Sequence, residues 1–174
     1  MIPVNGRPVI GWILEDLLKK GFDEAIVVLR FDNTRLFNYV SWAFSQRIHI
    51  QFAFVQPGGS ILHSLLSGLE MADENRGVYI VLGDTLIQDE LPNENDFVYA
   101  GNFQNAEDWC LVESNPHGFA IAYYDKQQRT EGGWQALAGV YSLSDVSTLK
   151  RSVMDQIQNG GKEISSVLDA YGKS

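Results

Sequence analysis

The chain has 174 residues, of which 45% are hydrophobic and 20% charged, enough for one domain with a sizeable core and ordinary for a globular protein. Its formal net charge of -9 argues against nucleic acid and anionic membrane as main partners, and obliges any anionic ligand to find local cations or a metal. The single cysteine, Cys110, excludes an intramolecular disulfide and a cysteine metal cluster and fits a reducing compartment. No apolar run has the length of a membrane span, and the N-terminus lacks a basic-then-apolar leader, so a cytoplasmic protein is expected.

Residues 1–8, Met-Ile-Pro-Val-Asn-Gly-Arg-Pro, form a turn-rich opening, with Pro8 suited to the first turn of a helix. Val9, Ile10, Ile13, Leu14, Leu17 and Leu18 line one face of that helix, and Lys19, Lys20 and Gly21 close it. Ala25–Leu29 reads as a strand. Asp32-Asn33-Thr34 supplies caps for a second helix with Leu36, Phe37, Val40 and Phe44 inward, and Trp12 and Trp42 are expected to be packing residues. Ile48–Val55 is the next strand.

Gln56-Pro57-Gly58-Gly59-Ser60 is a glycine turn opening a third helix. Leu62, Leu65, Leu66 and Leu69 make its apolar stripe, with His63, Ser67, Glu70 and Glu74 on the polar face. Backbone amides at such a helix start can meet an anion or a base, so Gln56, Gly58 and Gly59 are candidate nucleotide contacts; the Lys-Ser/Thr ending of a Walker loop is absent.

The run Gly77–Ile87 (Gly-Val-Tyr-Ile-Val-Leu-Gly-Asp-Thr-Leu-Ile) organises the rest. It reads as a buried strand that ends abruptly in Gly83-Asp84. In open α/β sheets ligands sit beyond the carboxyl ends of strands, where a carboxylate can hold a divalent cation against phosphate oxygens. The competing reading is a strand-ending turn in which Asp84 bonds nearby amides.

Beyond residue 88 the rhythm changes to strands without intervening helices: Phe97–Ala100, Cys110–Glu113, Phe119–Asp125 and Trp134–Ser142, with Asn115-Pro116-His117-Gly118 as a hairpin turn. Two helices close the chain, around Val146, Leu149, Val153 and Ile157 and around Ile164, Val167, Leu168 and Tyr171. His49, His63 and His117 share no ligand spacing and read as structural, and Cys110 reads as packed in a strand. No linker or repeat divides residues 1–174, so one α/β domain is expected.

The series Ile2-Pro3-Val4-Asn5-Gly6-Arg7-Pro8 plus helix, Gln56 with Gly59, Gly83-Asp84-Thr85, Trp109-Cys110-Leu111-Val112-Glu113, Asp125-Lys126 and Ala138-Gly139-Val140-Tyr141 resembles the sugar-1-phosphate nucleotidyltransferases, or nucleotide-diphospho-sugar pyrophosphorylases, through nearly the whole chain. The resemblance implies a three-layer α/β/α Rossmann-like fold with a mixed sheet. It also implies a reaction in which a sugar 1-phosphate attacks the α-phosphorus of a nucleoside triphosphate, helped by magnesium and basic groups. By it, Asp84 is the catalytic, magnesium-binding aspartate, Gln56, Gly58 and Gly59 meet the nucleotide, and Glu113, Lys126 and Gly139 hold the sugar phosphate.

There are departures. The family's first strand and its Gly-x-Gly-x-Arg…Pro-Lys loop precede the point that Met1 matches, so the resemblance implies that this strand is missing. Ser166 stands where the family places a second magnesium aspartate, Asp125-Lys126-Gln127 replaces Glu-Lys-Pro, and Cys110 replaces a glycine. Impaired or absent turnover is expected. The alternatives are a non-catalytic sugar-phosphate or nucleotide-sugar binding subunit, and a structural partner. The strands at Ala25–Leu29 and Val78–Leu82 are expected to face each other across a gap that another chain's strand, a strand-swapped dimer or other homo-oligomer, or a rearranged sheet would fill.

Overall fold

The computed structural model describes residues 3–126 and 134–174; Ile2 and Gln127 of the expected motifs lie outside them. Pro3–Val4 (β1) and Arg7–Pro8 (β2) pair as a small hairpin. Asn5 and Gly6, both at positive φ (49° and 75°), make its two-residue turn, the geometry that matches strand twist. Pro8 is therefore the residue before helix Val9–Lys19 (α1) and not within its first turn. Half-buried Trp12 donates from Nε1 to the Val4 carbonyl at 2.9 Å, and Arg7 lies over its ring, so this tryptophan does pack the hairpin onto α1. Crossed bonds from Gly21 and Phe22 back to Leu18 and Leu17 end the helix.

Glu24–Arg30 (β3) and His49–Val55 (β4) pair in parallel, joined by helix Thr34–Phe44 (α2), which Asn33 caps by accepting from the Leu36 amide. Val40 and Phe44 are buried as expected, but two aromatics on α2 are not. Trp42 is 86% exposed, since it falls between the buried stripe positions, and Phe37 sits at the rim, its ring tilted against Phe52 of β4 at 4.6 Å. Helix Ile61–Leu69 (α3) follows. His63 closes a capping box with Ser60, and Glu74 lies beyond the helix, where it meets Lys150 and Ser147.

The organising run is a strand only over Val78–Val81 (β5). Then come Phe97–Gly101 (β6), a short turn at Ala106–Asp108, Leu111–Ser114 (β7), Ala120–Tyr124 (β8) and the long Trp134–Leu143 (β9). Asn115 ties the β7–β8 hairpin by accepting from the His117 and Phe119 amides. Helices Val146–Gln158 (α4), capped by Asp145, and Ile164–Tyr171 (α5) finish the chain. No helix among the described residues is long and apolar enough to cross a membrane.

The layers follow from strand parity. Val78, Ile80 and Leu82 face Leu62, Leu69, Leu149, Val153, Val167 and Leu168 of α3, α4 and α5. Tyr79, Val81 and Val140 face Ile13 and Leu17 of α1 on the opposite side. Leu14 also joins Val27, Leu29, Val40, Phe44 and Ile48 in the core that covers β3 and β4. The result is the expected three-layer α/β/α arrangement with a mixed sheet, broken in one place.

That break lies between β3 and β5. Among the described residues β3 pairs only with β4, and β5 only with β9. Contacts nevertheless hold the two sheets side by side: Phe22 stacks on Tyr79 at 5.1 Å, Arg76 pairs with Glu24, and Lys20 donates to the Ile87 carbonyl. Helix α1 covers one face of the break, and α3, touching β3 and β4 and packed against α4, covers the other. Every residue of β5 is only half-buried, although its apolar sequence is that of a strand enclosed on both sides.

Candidate functional site

β9 changes partners along one edge. Val78–Val81 of β5 pair with Leu143–Val140, and the Leu82 amide continues to the Gly139 carbonyl at 2.9 Å. From there the same edge turns to β7: the Leu137 amide donates to the Cys110 carbonyl at 2.9 Å, and Leu111 to Glu113 pair with Ala136 to Trp134. β6 occupies the opposite edge. The carboxyl end of β5 and the amino end of β7 therefore meet end to end, and Gly83-Asp84-Thr85 leaves the sheet at that split. A change of strand partner of this kind opens a crevice in which ligands can lodge.

Gly139 shapes the split. Its φ is +81°, and a Cβ there would come within 2.6 Å of Thr85 Oγ1 and 3.1 Å of Leu82 Cδ1. Only glycine accepts both that backbone and that approach. Gly83, by contrast, has open space around its α-carbon. Thr85 in turn closes a turn onto the Leu82 carbonyl at 3.0 Å and brings its hydroxyl to 3.4 Å from Asp84 Oδ1. Among the described residues Asp84 accepts no backbone amide bond. Its carboxylate is exposed and open to a cation.

Glu113 lies on the face of β7 opposite Val112 and accepts from the Tyr124 hydroxyl at 2.9 Å. Tyr124 stacks on Trp134 at 4.2 Å. Lys126 follows β8, exposed, with its backbone amide bonded to Asp125 Oδ1. The Gln56–Gly59 turn belongs to the other sheet, at the carboxyl end of β4 and the start of α3, with Gly58 at φ +90°. Among the described residues no hydrogen bond joins that turn to Asp84. Ser166 donates to the Glu163 carbonyl at 2.9 Å and is thus engaged in starting α5.

Two features were not foreseen. A wide cleft of about 500 Å³ opens between the loop 86–89, Tyr99–Gly101 of β6 and Ala138 of β9. None of the candidate residues lines it, although Ala138 precedes Gly139 on the other face of β9. Secondly, Cys110 is not simply packed in a strand. Its thiol lies 3.6 Å from Asp125 Oδ1 and 3.9 Å from Glu163 Oε2. Burial, with the neighbouring carboxylates of Glu163 and Asp125, pushes the thiol pKa up against the opposing pull of the Ser165 hydroxyl. Behind the split, burial raises the Tyr141 pKa, and the charge of Asp84 adds to the shift. Tyr79, half-buried under α1, is pushed up to about 12 by desolvation.

No protein-family model matches the chain, and no curated protein matches it. Solved structures do. One assigned as a glucose-1-phosphate thymidylyltransferase from Bacillus anthracis, in complex with sucrose, superposes with a TM-score of 0.83 at 14% identity, over 99% of this chain and 73% of that one. A UDP-glucose pyrophosphorylase complexed with UDP-glucose gives 0.81 at 14% identity, over 99% and 78%. The CTP:phosphocholine cytidylyltransferase of Streptococcus pneumoniae gives 0.74 at 13% identity, over 99% and 75%. At such identities the likeness is one of fold: this chain has the fold of the sugar-1-phosphate nucleotidyltransferases and their relatives.

Proposed function

We propose that residues 1–174 form a single nucleotidyltransferase-like domain that binds a nucleotide and a sugar phosphate, or the nucleotide-sugar they make, and has at most impaired turnover as this chain. The observation that carries the reading is the placement of Asp84 at the split where β9 passes from β5 to β7. An exposed carboxylate at a strand end suits a magnesium ion that completes its shell with phosphate oxygens. Asp84 would hold that ion, which when bound supplies neutralisation of phosphate charge. The amides at the start of α3 beside Gln56, Gly58 and Gly59 suit the nucleotide. Lys126 offers a cation to the sugar phosphate, Glu113 its hydroxyl-binding carboxylate, and Gly139 room for the approach. The same reading places the protein in the cytoplasm, where its substrates and a lone thiol both belong.

Lys126 is the one cation among these candidates, whereas triphosphate chemistry needs several preorganised donors, each worth about a hundredfold or more in rate. With magnesium, any common nucleoside triphosphate and a panel of sugar 1-phosphates, pyrophosphate release is expected to stay at background; release above it would return the chain to the enzymes. Binding is tested by calorimetry with UDP-glucose and with glucose 1-phosphate. Magnesium alone should bind weakly and should tighten both ligands. Asp84→Asn should remove that gain and leave the fold intact, while Lys126→Ala should weaken glucose 1-phosphate with or without metal. An Asp84→Asn variant that kept the magnesium-dependent gain would make Asp84 an ordinary turn residue. A second reading, a chain that completes its sheet with another chain, is favoured by the edges of β3 and β5 that stay unpaired among the described residues.

A further inference from the structure

Three elements distant in sequence converge beside the split. Carrying the β7–β8 register (Leu111 opposite Tyr124) one residue outward sets Cys110 opposite Asp125. Glu163, the residue before α5, reaches the same point from the helix layer. Its side chain makes no capping bond to the helix it precedes and turns to the thiol instead. The sulfur and one oxygen from each carboxylate all lie within 4.8 Å of one another, the one such group of three or more His, Cys, Asp or Glu side chains among the described residues.

Asp125 is exposed and also takes the Lys126 amide, while Cys110 and Glu163 are half-buried. A thiol has a single proton to donate, and two carboxylates this close repel each other. Beside them Ser165 Oγ is buried, the residue only 1% exposed, with no hydrogen-bond partner among the described residues. It lies near the Cys110 sulfur. A buried hydroxyl is rarely left unpaired, so this one marks a place beside the cluster where a further partner is expected.

We propose that Cys110, Asp125 and Glu163 form a binding site for a borderline-soft divalent cation of the zinc type, held by one sulfur and two carboxylate oxygens, beside the buried, unpartnered Ser165 hydroxyl. The distances suit the ion. Zinc–sulfur and zinc–oxygen bonds at tetrahedral angles separate sulfur from oxygen by about 3.6 Å, and the two separations here are 3.6 and 3.9 Å. A sulfur ligand selects such a metal over magnesium, which prefers six oxygens. Three protein ligands leave a fourth position for water or a ligand atom. On binding, the S–H bond gives way to a sulfur–metal bond and one proton passes to solvent. Asp84 is not a member of this group, and the proposal does not depend on the nucleotide reading.

Zinc chloride titrated into the full 174-residue chain is expected to bind at one site per chain, with magnesium in excess failing to displace it. Cys110→Ser and Glu163→Gln should each weaken zinc by about a hundredfold, and Ser165→Ala by about tenfold, as loss of an outer-shell partner does. Asp84→Asn should leave zinc affinity unchanged. Cobalt offered to the wild-type chain should give a sulfur-to-cobalt charge-transfer band, which also decides the matter should Cys110→Ser fail to fold. No zinc binding, zinc affinity indifferent to Cys110→Ser, or bound cobalt without that band would each overturn the proposal.

Discussion

Diluted to single chains, the protein is expected to show fast hydrogen exchange at the outward-facing amides of β3 and β5, in the middle of its own sheet. Among the described residues β3 has a partner on one side only, and so has β5, while β9 is paired along both edges. Amides bonded only to water open at almost no cost, whereas core amides open with the global unfolding free energy. With even a modest stability of about 5 kcal/mol, the ratio in rate should exceed roughly a thousandfold. Raising the concentration should slow these same amides, and these before others, if the facing edges take up a strand from another copy. Light scattering over the same range would report the mass. Outer-edge β5 amides that are as slow as those of β9 at the lowest concentration would show that the break is closed within one chain.

Replacing Gly139 by alanine should be the most damaging small change at the site. The left-handed backbone costs a β-carbon about 1–2 kcal/mol, and the 2.6 Å approach to Thr85 Oγ1 adds an overpacking cost of about 1–3 kcal/mol. Together they should lower the melting temperature by roughly 10 °C for a chain this size. Adding Thr85→Ala to that variant should recover the steric part only, because the backbone strain remains. Full recovery would mean that the clash alone matters; no loss in Gly139→Ala would mean that the loop 83–85 moves freely, and with it Asp84.

The periodicities were sufficient for the local structure. Stripes such as Leu62, Leu65, Leu66 and Leu69 and the alternation after residue 88 place each long element, because the side-chain period of a helix or strand is fixed by its own geometry. They also placed Phe37 and Trp42 inside, where the structure puts them at the surface. Periodicity marks a face but does not say whether a neighbour covers it.

The series of motifs led to the right fold, and the gap between β3 and β5 was foreseen from it. Asp84 as a strand-end carboxylate could be named from Gly-Asp after an apolar run. What it faces could not, since the partner switch of β9 depends on pairings between residues 21 to 65 positions apart. The same holds for Cys110, Asp125 and Glu163. No spacing rule joins them, because each comes from a different element, and only the β7–β8 register and the seat of α5 bring one sulfur and two carboxylates together. Sequence by itself determined which segments are helix or strand and which residues carry charge; the tertiary structure decided which edges stay unpaired and which side chains meet, because both depend on contacts that local chain geometry does not encode.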